Sequence, residues 1–292
     1  MPSEQHEGLV AAMASAPPAQ GTLEESRANY DGMLSSNPPP ADAVIEEITV
    51  GEANADWVSV PESRDDRAVL YFHGGGYVIG SNVGYREFAS RFARATQSKV
   101  LLLNYRLAPE NPFPAAVDDA VAAYDFMLAS GLTADQIMLA GDSAGGGLTF
   151  ATLVALRDQG KPMPSCATTF SPWVDLEGTG DSAVPGAVDD PMVSPEALHE
   201  MAAHYAGGDD LRNPLVSPLH ANLSGLPPQL VFVGTREILR DDAIRIVDNA
   251  QSVGVDASLE IGSELIHVWP VFPMPEAAES LARVSEFANR HM

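Results

Sequence analysis

From residue 68 onward the chain repeats one pattern, and that pattern leaves few folds open. "AVLYF", "KVLLLNY", "QIMLAG", "CATTFS", "PQLVFVG" and "ASLEI" are short, largely apolar runs rich in β-branched or aromatic residues. Helix-length segments separate most of them, at 84–97, 113–130, 144–159 and 240–253, with a last one at 275–290. Strands alternating with helices build parallel βαβ units, and continuous apolar runs mark strands covered on both faces. Upstream, "VIEEITV" and "DWVSV" alternate as strands at a sheet edge do. The expectation is an α/β fold: a mostly parallel sheet of roughly eight strands, flanked by helices.

Two regions break the alternation. Residues 1–43 hold two helix-like stretches, 4–14 and 22–35, separated by "APPAQG" and closed by "NPPP". Residues 172–215 carry Pro and Gly breaks, many acids and the helix-like "SPEALHEMAAHYA". That stretch is too long for an ordinary loop and reads as an insertion. The expected organisation is a helical cap segment at 1–43 and a main α/β domain at 44–292, with 172–215 contributing to the cap.

Charge and cysteine usage narrow the function classes. Forty acidic residues against 16 basic ones leave a net charge of −24 over 292 residues. Nucleic acid and anionic membranes are poor partners for such a surface, because phosphate recognition needs clustered Lys and Arg. The lysines are Lys99 and Lys161 alone. An acidic surface is either ordinary solvation or an adaptation to high salt. The single cysteine, Cys166, admits no intramolecular disulfide and points to a reducing compartment. Within the apolar "CATTF" it reads as a small buried side chain. The first twenty residues lack the basic flank and apolar core of a signal peptide, and no run approaches the ~20 apolar residues of a membrane span. A cytoplasmic location is expected.

The chemistry centres on "LAGDSAGGGL", where Ser143 stands between a strand and a helix. So short a connection forces its central residue into a strained conformation and brings neighbouring turns close. Small residues two before and two after, Gly141 and Gly145, relieve that crowding. This G-x-S-x-G elbow lifts the hydroxyl clear of the sheet and aims a helix amino terminus at it. A serine hydroxyl is inert near neutral pH unless a base takes its proton and a third group holds the base.

Elbow folds order these groups as Ser, acid, His. His6, His73, His199, His204 and His220 precede any plausible acid loop, and His291 is penultimate, which leaves His267 as the base. The acid should follow "PQLVFVG", where "GTREILRDDA" offers Glu237, Asp241 and Asp242. Glu237 is nearest the strand end. The two aspartates sit where the next helix begins, and capping accounts for at least one of them. Backbone donors for an oxyanion come from "YFHGGGYVIG": triple glycine lets amides turn inward, and Ala144 follows the nucleophile. No G-x-G-x-x-G follows a strand at the spacing a dinucleotide site needs. In "HEMAAH", His199 and His204 are five apart and do not share a helix face, so no metal is expected. Met192, Val193, Leu198 and Met201 either touch a bound acyl chain or simply pack a cap helix.

Taken together, "HGGGYVIGS", "NYRLAPENPFPAAVDD", "GDSAGGGL", "SPWVDL" and "HVWPVF" resemble the hormone-sensitive lipase-like carboxylesterases, the bacterial family IV enzymes. The motifs run from about residue 68 to the carboxyl end. The resemblance implies the α/β-hydrolase fold with a helical cap, and hydrolysis of short- to medium-chain esters through an acyl-enzyme without cofactor or metal. Carried over by position, it implies Ser143 as nucleophile, His267 as base, and Gly75, Gly76 and Ala144 as oxyanion donors. His73 and Gly74 would support the loop. The family usually has aspartate where Glu237 stands, in a D-P-L-x-D pattern that here reads "EILRD". Homodimers are frequent in the family. An amidase, lactonase or acyltransferase would use the same residues, and a non-catalytic small-molecule receptor is the rival of a different class.

Overall fold

The computed structural model describes residues 1–15 and 21–292. Two helices open the chain, α1 (Glu4–Ser15) and α2 (Leu23–Leu34). The "APPAQ" break expected between them lies outside the described residues. There follow β1 (Val44–Val50), β2 (Ala53–Ser59), β3 (Arg64–Phe72), α3 (Asn82–Thr96), β4 (Ser98–Asn104), α4 (Ala115–Ala129), β5 (Ile137–Asp142) and α5 (Ala144–Asp158). The chain ends with β6 (Cys166–Phe170), α6 (Pro195–Ala206), β7 (Gln229–Arg236), α7 (Arg240–Ser252), β8 (Ala257–Ile266) and α8 (Pro275–His291). Among the described residues no helix is long and apolar enough to cross a membrane.

All eight strands join one sheet in the order β1-β2-β4-β3-β5-β6-β7-β8. β1 with β2, and β2 with β4, are antiparallel; the remaining neighbours are parallel. The antiparallel pair is the upstream pair of alternating strands, and it forms one edge. Period-2 geometry splits the core in two. Leu70, Phe72, Leu101, Leu103 and Leu139 face α4, α5 and α7, while Val69, Tyr71, Val100, Leu102 and Met138 face α3 and α8. Both sets are fully buried, and each such side chain contributes about 1.5–3 kcal/mol.

The strand order has a functional consequence. From β3 the chain moves to β4 on one side and then to β5 on the other, so the crevice between the carboxyl ends of β3 and β5 is a topological switch point. The loops that follow those two strands hold the triple glycine and Ser143. Within residues 172–215, α6 is set by its caps: the Ser194 hydroxyl accepts from Ala197 N–H, Pro195 occupies the first turn, and Gly207 ends the helix at φ 60.

Arginines are widely used to tie acids down. Arg86 bridges buried Asp56 and exposed Glu47, Arg106 holds buried Asp119, and Arg27 takes Glu110. The Arg106–Asp119 pair explains both ends of the "YRLAPE…AVDD" stretch. With basic groups so engaged, the surplus of acids is a self-repelling surface. Raising NaCl from about 0.1 M to about 1 M shortens the Debye length from about 10 Å to about 3 Å. The melting temperature should rise across that range, with KCl giving the same result at matched pH. A flat or falling melting temperature would show that the acidic surface is ordinary solvation.

Candidate active site

Ser143 sits between β5 and α5 with φ 53 and ψ −120, a conformation that L-residues rarely adopt. The surroundings impose it. Its N–H donates to Phe170 O (2.9 Å), and its carbonyl accepts from Trp173 N–H (2.9 Å) and Gly147 N–H (3.0 Å). The flanking glycines are required by space: a Cβ on Gly145 would lie 2.0 Å from Phe72 O, and one on Gly141 2.3 Å from Gly145 O. The hydroxyl therefore stands at the amino terminus of α5, on top of the sheet.

β8 runs on to Ile266, past the expected "ASLEI", so His267 is the first residue beyond it; β7 likewise ends at Arg236, directly before Glu237. Because β7 and β8 are adjacent and parallel, both side chains emerge at the same end of the sheet. His267 Nε2 is 3.0 Å from Ser143 Oγ, and His267 Nδ1 is 2.8 Å from Glu237 Oε2. The carboxylate can only accept, so Nδ1 carries the proton and Nε2 is free to accept from the serine. All three residues are buried or nearly so. Burial opposes the imidazolium, but the hydrogen bond and charge of Glu237, with Asp190 and Asp142 further out, outweigh it and raise the His267 pKa. The arrangement can remove a proton from the hydroxyl and hold the resulting cation.

Ser171 joins this group without having been singled out beforehand. Its hydroxyl donates to Glu237 Oε1 (2.8 Å) and accepts from Val268 N–H (3.0 Å). Gly234 N–H also donates to Oε1, at 2.5 Å. One hydroxyl thus ties the acid to the residue after the histidine. The signal lay in "SPWVDL", whose first residue is Ser171.

Across the crevice, the glycine loop divides its amides. Gly74 N–H donates to Asp142 Oδ1 (3.0 Å) and to Tyr85 Oη (3.1 Å). Among the described residues nothing accepts from Gly75 or Gly76 N–H. Ala144 is the first residue of α5, where an N–H has no partner within the helix. His73 is buried, stacks on Tyr105 with centroids 4.3 Å apart, and places Nδ1 2.8 Å from Gly74 O. Burial lowers its pKa to about 4, which keeps it neutral. Asp142 accepts from Tyr71 (2.8 Å) and Tyr85 (2.7 Å) as well; burial pushes its carboxyl up to about 6 against these donors. Met201 of α6 lies over Gly76, where an added Cβ would be 2.1 Å from its sulfur. Val193, Leu198 and Met201 pack against the α4–α5–α7 core, and Met192 against the opposite one.

The other two acid candidates do not cap α7, contrary to the sequence expectation. Asp242 is buried and accepts from Val174 N–H (3.0 Å) and Asp175 N–H (2.9 Å), while Asp241 accepts from Ser182 N–H (2.9 Å). Both fasten the 172–184 segment to the first turn of α7, because that segment crosses directly above it. Burial, and then the Asp175 charge, push the Asp242 carboxyl up to about 7. Among the described residues Asp175, Glu177 and His220 bring potential metal-ligand atoms within 4.8 Å of one another. Thr179 and Arg245 already hold Asp175 Oδ2, and Arg212 stands 3.7 Å from Glu177, so the group is balanced as an ion-pair network. Cys166 is buried, its thiol pushed up to about 12 by desolvation, which leaves it unreactive.

Known proteins share this chain's sequence and fold. Residues 69–271 match the family described as the α/β hydrolase fold. An acetyl-hydrolase of Streptomyces hygroscopicus is 42% identical over 270 residues, 90% of this chain and 89% of that protein. An esterase of Acinetobacter venetianus is 36% identical over 225 residues, 76% and 74% of the two chains. The crystal structure of an esterase from the bacterial hormone-sensitive lipase family superposes with a TM-score of 0.95 at 44% identity, covering 100% of this chain and 99% of that one. With the strained serine, its histidine and the glycine loop in place on this sheet, the chain belongs to the α/β hydrolase fold family and, within it, to the bacterial hormone-sensitive lipase family of esterases.

Proposed function

We propose that the protein hydrolyses short- to medium-chain carboxylic esters through an acyl-enzyme, with Ser143 as nucleophile, His267 as base and Glu237 as its orienting acid. The observation that carries this reading is the unbroken chain Glu237–His267–Ser143, at 2.8 and 3.0 Å. Ser143 Oγ attacks the carbonyl carbon while its proton passes to His267 Nε2. The oxyanion is met by Gly75, Gly76 and Ala144 N–H groups, with His73 and Gly74 supporting their loop. The imidazolium returns its proton to the departing alcohol, and water, deprotonated by the same nitrogen, then releases the acid. No step calls on a cofactor or metal.

Chain length is the finer part of the reading. Met201 bounds the space beside Gly76, and the Streptomyces relative is named for acetyl groups, which are short. We assign residues 1–43 to a cap and 44–292 to the catalytic domain, with 172–215 contributing to the cap through α6. A reducing cytoplasmic location is supported by the lone buried Cys166. Small-molecule esters are the partners, together with a second copy: β8 is an edge strand with Ile261 exposed, able to pair in a homodimer.

A series of p-nitrophenyl esters from acetate to palmitate tests the function: acetate to octanoate should turn over and palmitate should not. Turnover of the corresponding anilides, with none of the esters, would sink the ester reading. Ser143→Ala should lower kcat by about 10⁶-fold, and a variant keeping even about a tenth of the activity would refute the nucleophile assignment. Glu237→Gln should lose roughly 10³–10⁴-fold in kcat. Asp242→Ala should act chiefly on stability, by about 1–3 kcal/mol for each amide left unpaired, read as a lower melting temperature.

The pH profile tests the base. His267 must be neutral to accept a proton, and its pKa is raised, so kcat/KM should rise with pH along a limb centred above the ordinary value of about 6.5. In Glu237→Gln, burial acts without the compensating charge, and the residual activity should show that limb moved to lower pH. An unmoved limb would mean that Glu237 is not coupled to the titrating group.

A further inference from the structure

The loop carrying Gly75 and Gly76 is held from outside as well as from within. α2 presents Arg27, Tyr30 and Asp31 on one face, at the three- and four-residue spacing that aligns side chains on a helix. Arg27 donates to Val78 O and Ala108 O, each at 2.9 Å, while Glu110 grips the same guanidinium with both oxygens at 2.7 Å. Asp31 accepts from the Ser81 hydroxyl at 2.7 Å. The Tyr30 hydroxyl is 3.2 Å from that of Tyr85.

Counting protons gives this last contact a direction. Tyr85 has one hydroxyl proton, and it goes to Asp142 Oδ2 at 2.7 Å. One Tyr85 lone pair takes the Gly74 N–H at 3.1 Å, so the Tyr30 contact is a donation from Tyr30 into the other. Asp142 Oδ1 receives Tyr71 and the same Gly74 N–H. Every hydrogen-bonding valence of Tyr85 is filled, and the chain runs from Tyr30 through Tyr85 and Asp142 to Gly74. Asp142 is bonded directly to Ser143, and Gly74 directly to Gly75.

We propose that Tyr30 is a positioning residue for ester hydrolysis: acting through Tyr85 and Asp142, its hydroxyl sets the oxyanion loop in register with the nucleophile. The amino-terminal segment is then part of the catalytic geometry as well as a cover over it. Removing the Tyr30 proton leaves a buried lone pair unfilled and frees Tyr85, Asp142 and the loop to shift together. The loss should fall on the transition state, because amides aimed at an oxyanion bind tightly only once charge has developed. The proposal rests on reading Gly75, Gly76 and Ala144 as the oxyanion donors.

Tyr30→Phe keeps the ring and removes one hydroxyl. The test compares wild type, Tyr30→Phe, Tyr85→Phe and the double variant for kcat, KM, melting temperature and inhibition by a trifluoromethyl ketone, whose serine adduct carries an oxyanion. Tyr30→Phe should lower kcat by about three- to tenfold and weaken the ketone by the same factor, with KM within about twofold. Adding Tyr30→Phe to Tyr85→Phe should change nothing further. The proposal is overturned if Tyr30→Phe leaves kcat and ketone affinity unchanged, if it acts only on KM or melting temperature, or if its effect survives in the Tyr85→Phe background. Should Tyr85→Phe fail to fold, ketone affinity in Tyr30→Phe alone decides. A wild-type enzyme indifferent to the ketone would instead count against the oxyanion reading itself.

Discussion

The positive φ of Ser143 is the constraint on which the rest of the site depends. A serine held this way costs on the order of 1–3 kcal/mol, and the surroundings must over-determine it. They do so from two strands and the segment that follows one of them. Phe170 of β6 takes the Ser143 N–H, the segment after β6 returns Trp173 N–H to its carbonyl, and Phe72 at the end of β3 closes over Gly145. Relaxing the turn would break a hydrogen bond to β6 and open the packing against β3 at once. Strain at this point is held by the middle of the sheet, where burial is complete on both faces.

The histidine and the acid are fixed by a second strained serine. Ser171 has φ 49, which turns its hydroxyl back between the ends of β7 and β8. There it meets Glu237 Oε1 and the amide of Val268, itself at φ 49. A carboxylate with one oxygen on Ser171 and Gly234 has a single oxygen left for the imidazole. Nδ1 faces that remaining oxygen, which can only accept, so Nδ1 carries the proton. The Glu237 side chain starts directly at the strand end and is anchored by two donors on one oxygen while the other meets the ring.

Much of this was legible in the residues. Strand and helix order and the elbow follow from periodicity and spacing, and chain order singled out His267 and Glu237, which the structure brings beside Ser143. The expected strand "ASLEI" stopped short of Ile266 because "GSEL" carries a glycine, a serine and a charge that weaken the apolar pattern, whereas the real strand is an exposed edge that tolerates them. The destination of Asp241 and Asp242 was misjudged for a different reason. Their place in the first turn of α7 is visible locally, but the 172–184 amides that claim them are brought there only by the fold. Ser171, Asp142 and Tyr30 were hidden for the same cause: each acts on partners far away in sequence, and a lone serine, aspartate or tyrosine has no pattern of its own.

The pairing of Phe72 with Gly141 across β3 and β5 has a consequence for how such a site can diverge. The glycine loop leaves β3 just after that pair, and Ser143 leaves β5 just after it. The two loops are thus launched one strand spacing apart, about 4.8 Å, a separation that the backbone of the sheet sets before any side chain refines it. Met201 of α6, which lies over Gly76, can by contrast be exchanged without touching that pairing. Side chains that cover the crevice can therefore change which molecule enters while the spacing of the two launching strands stays the same.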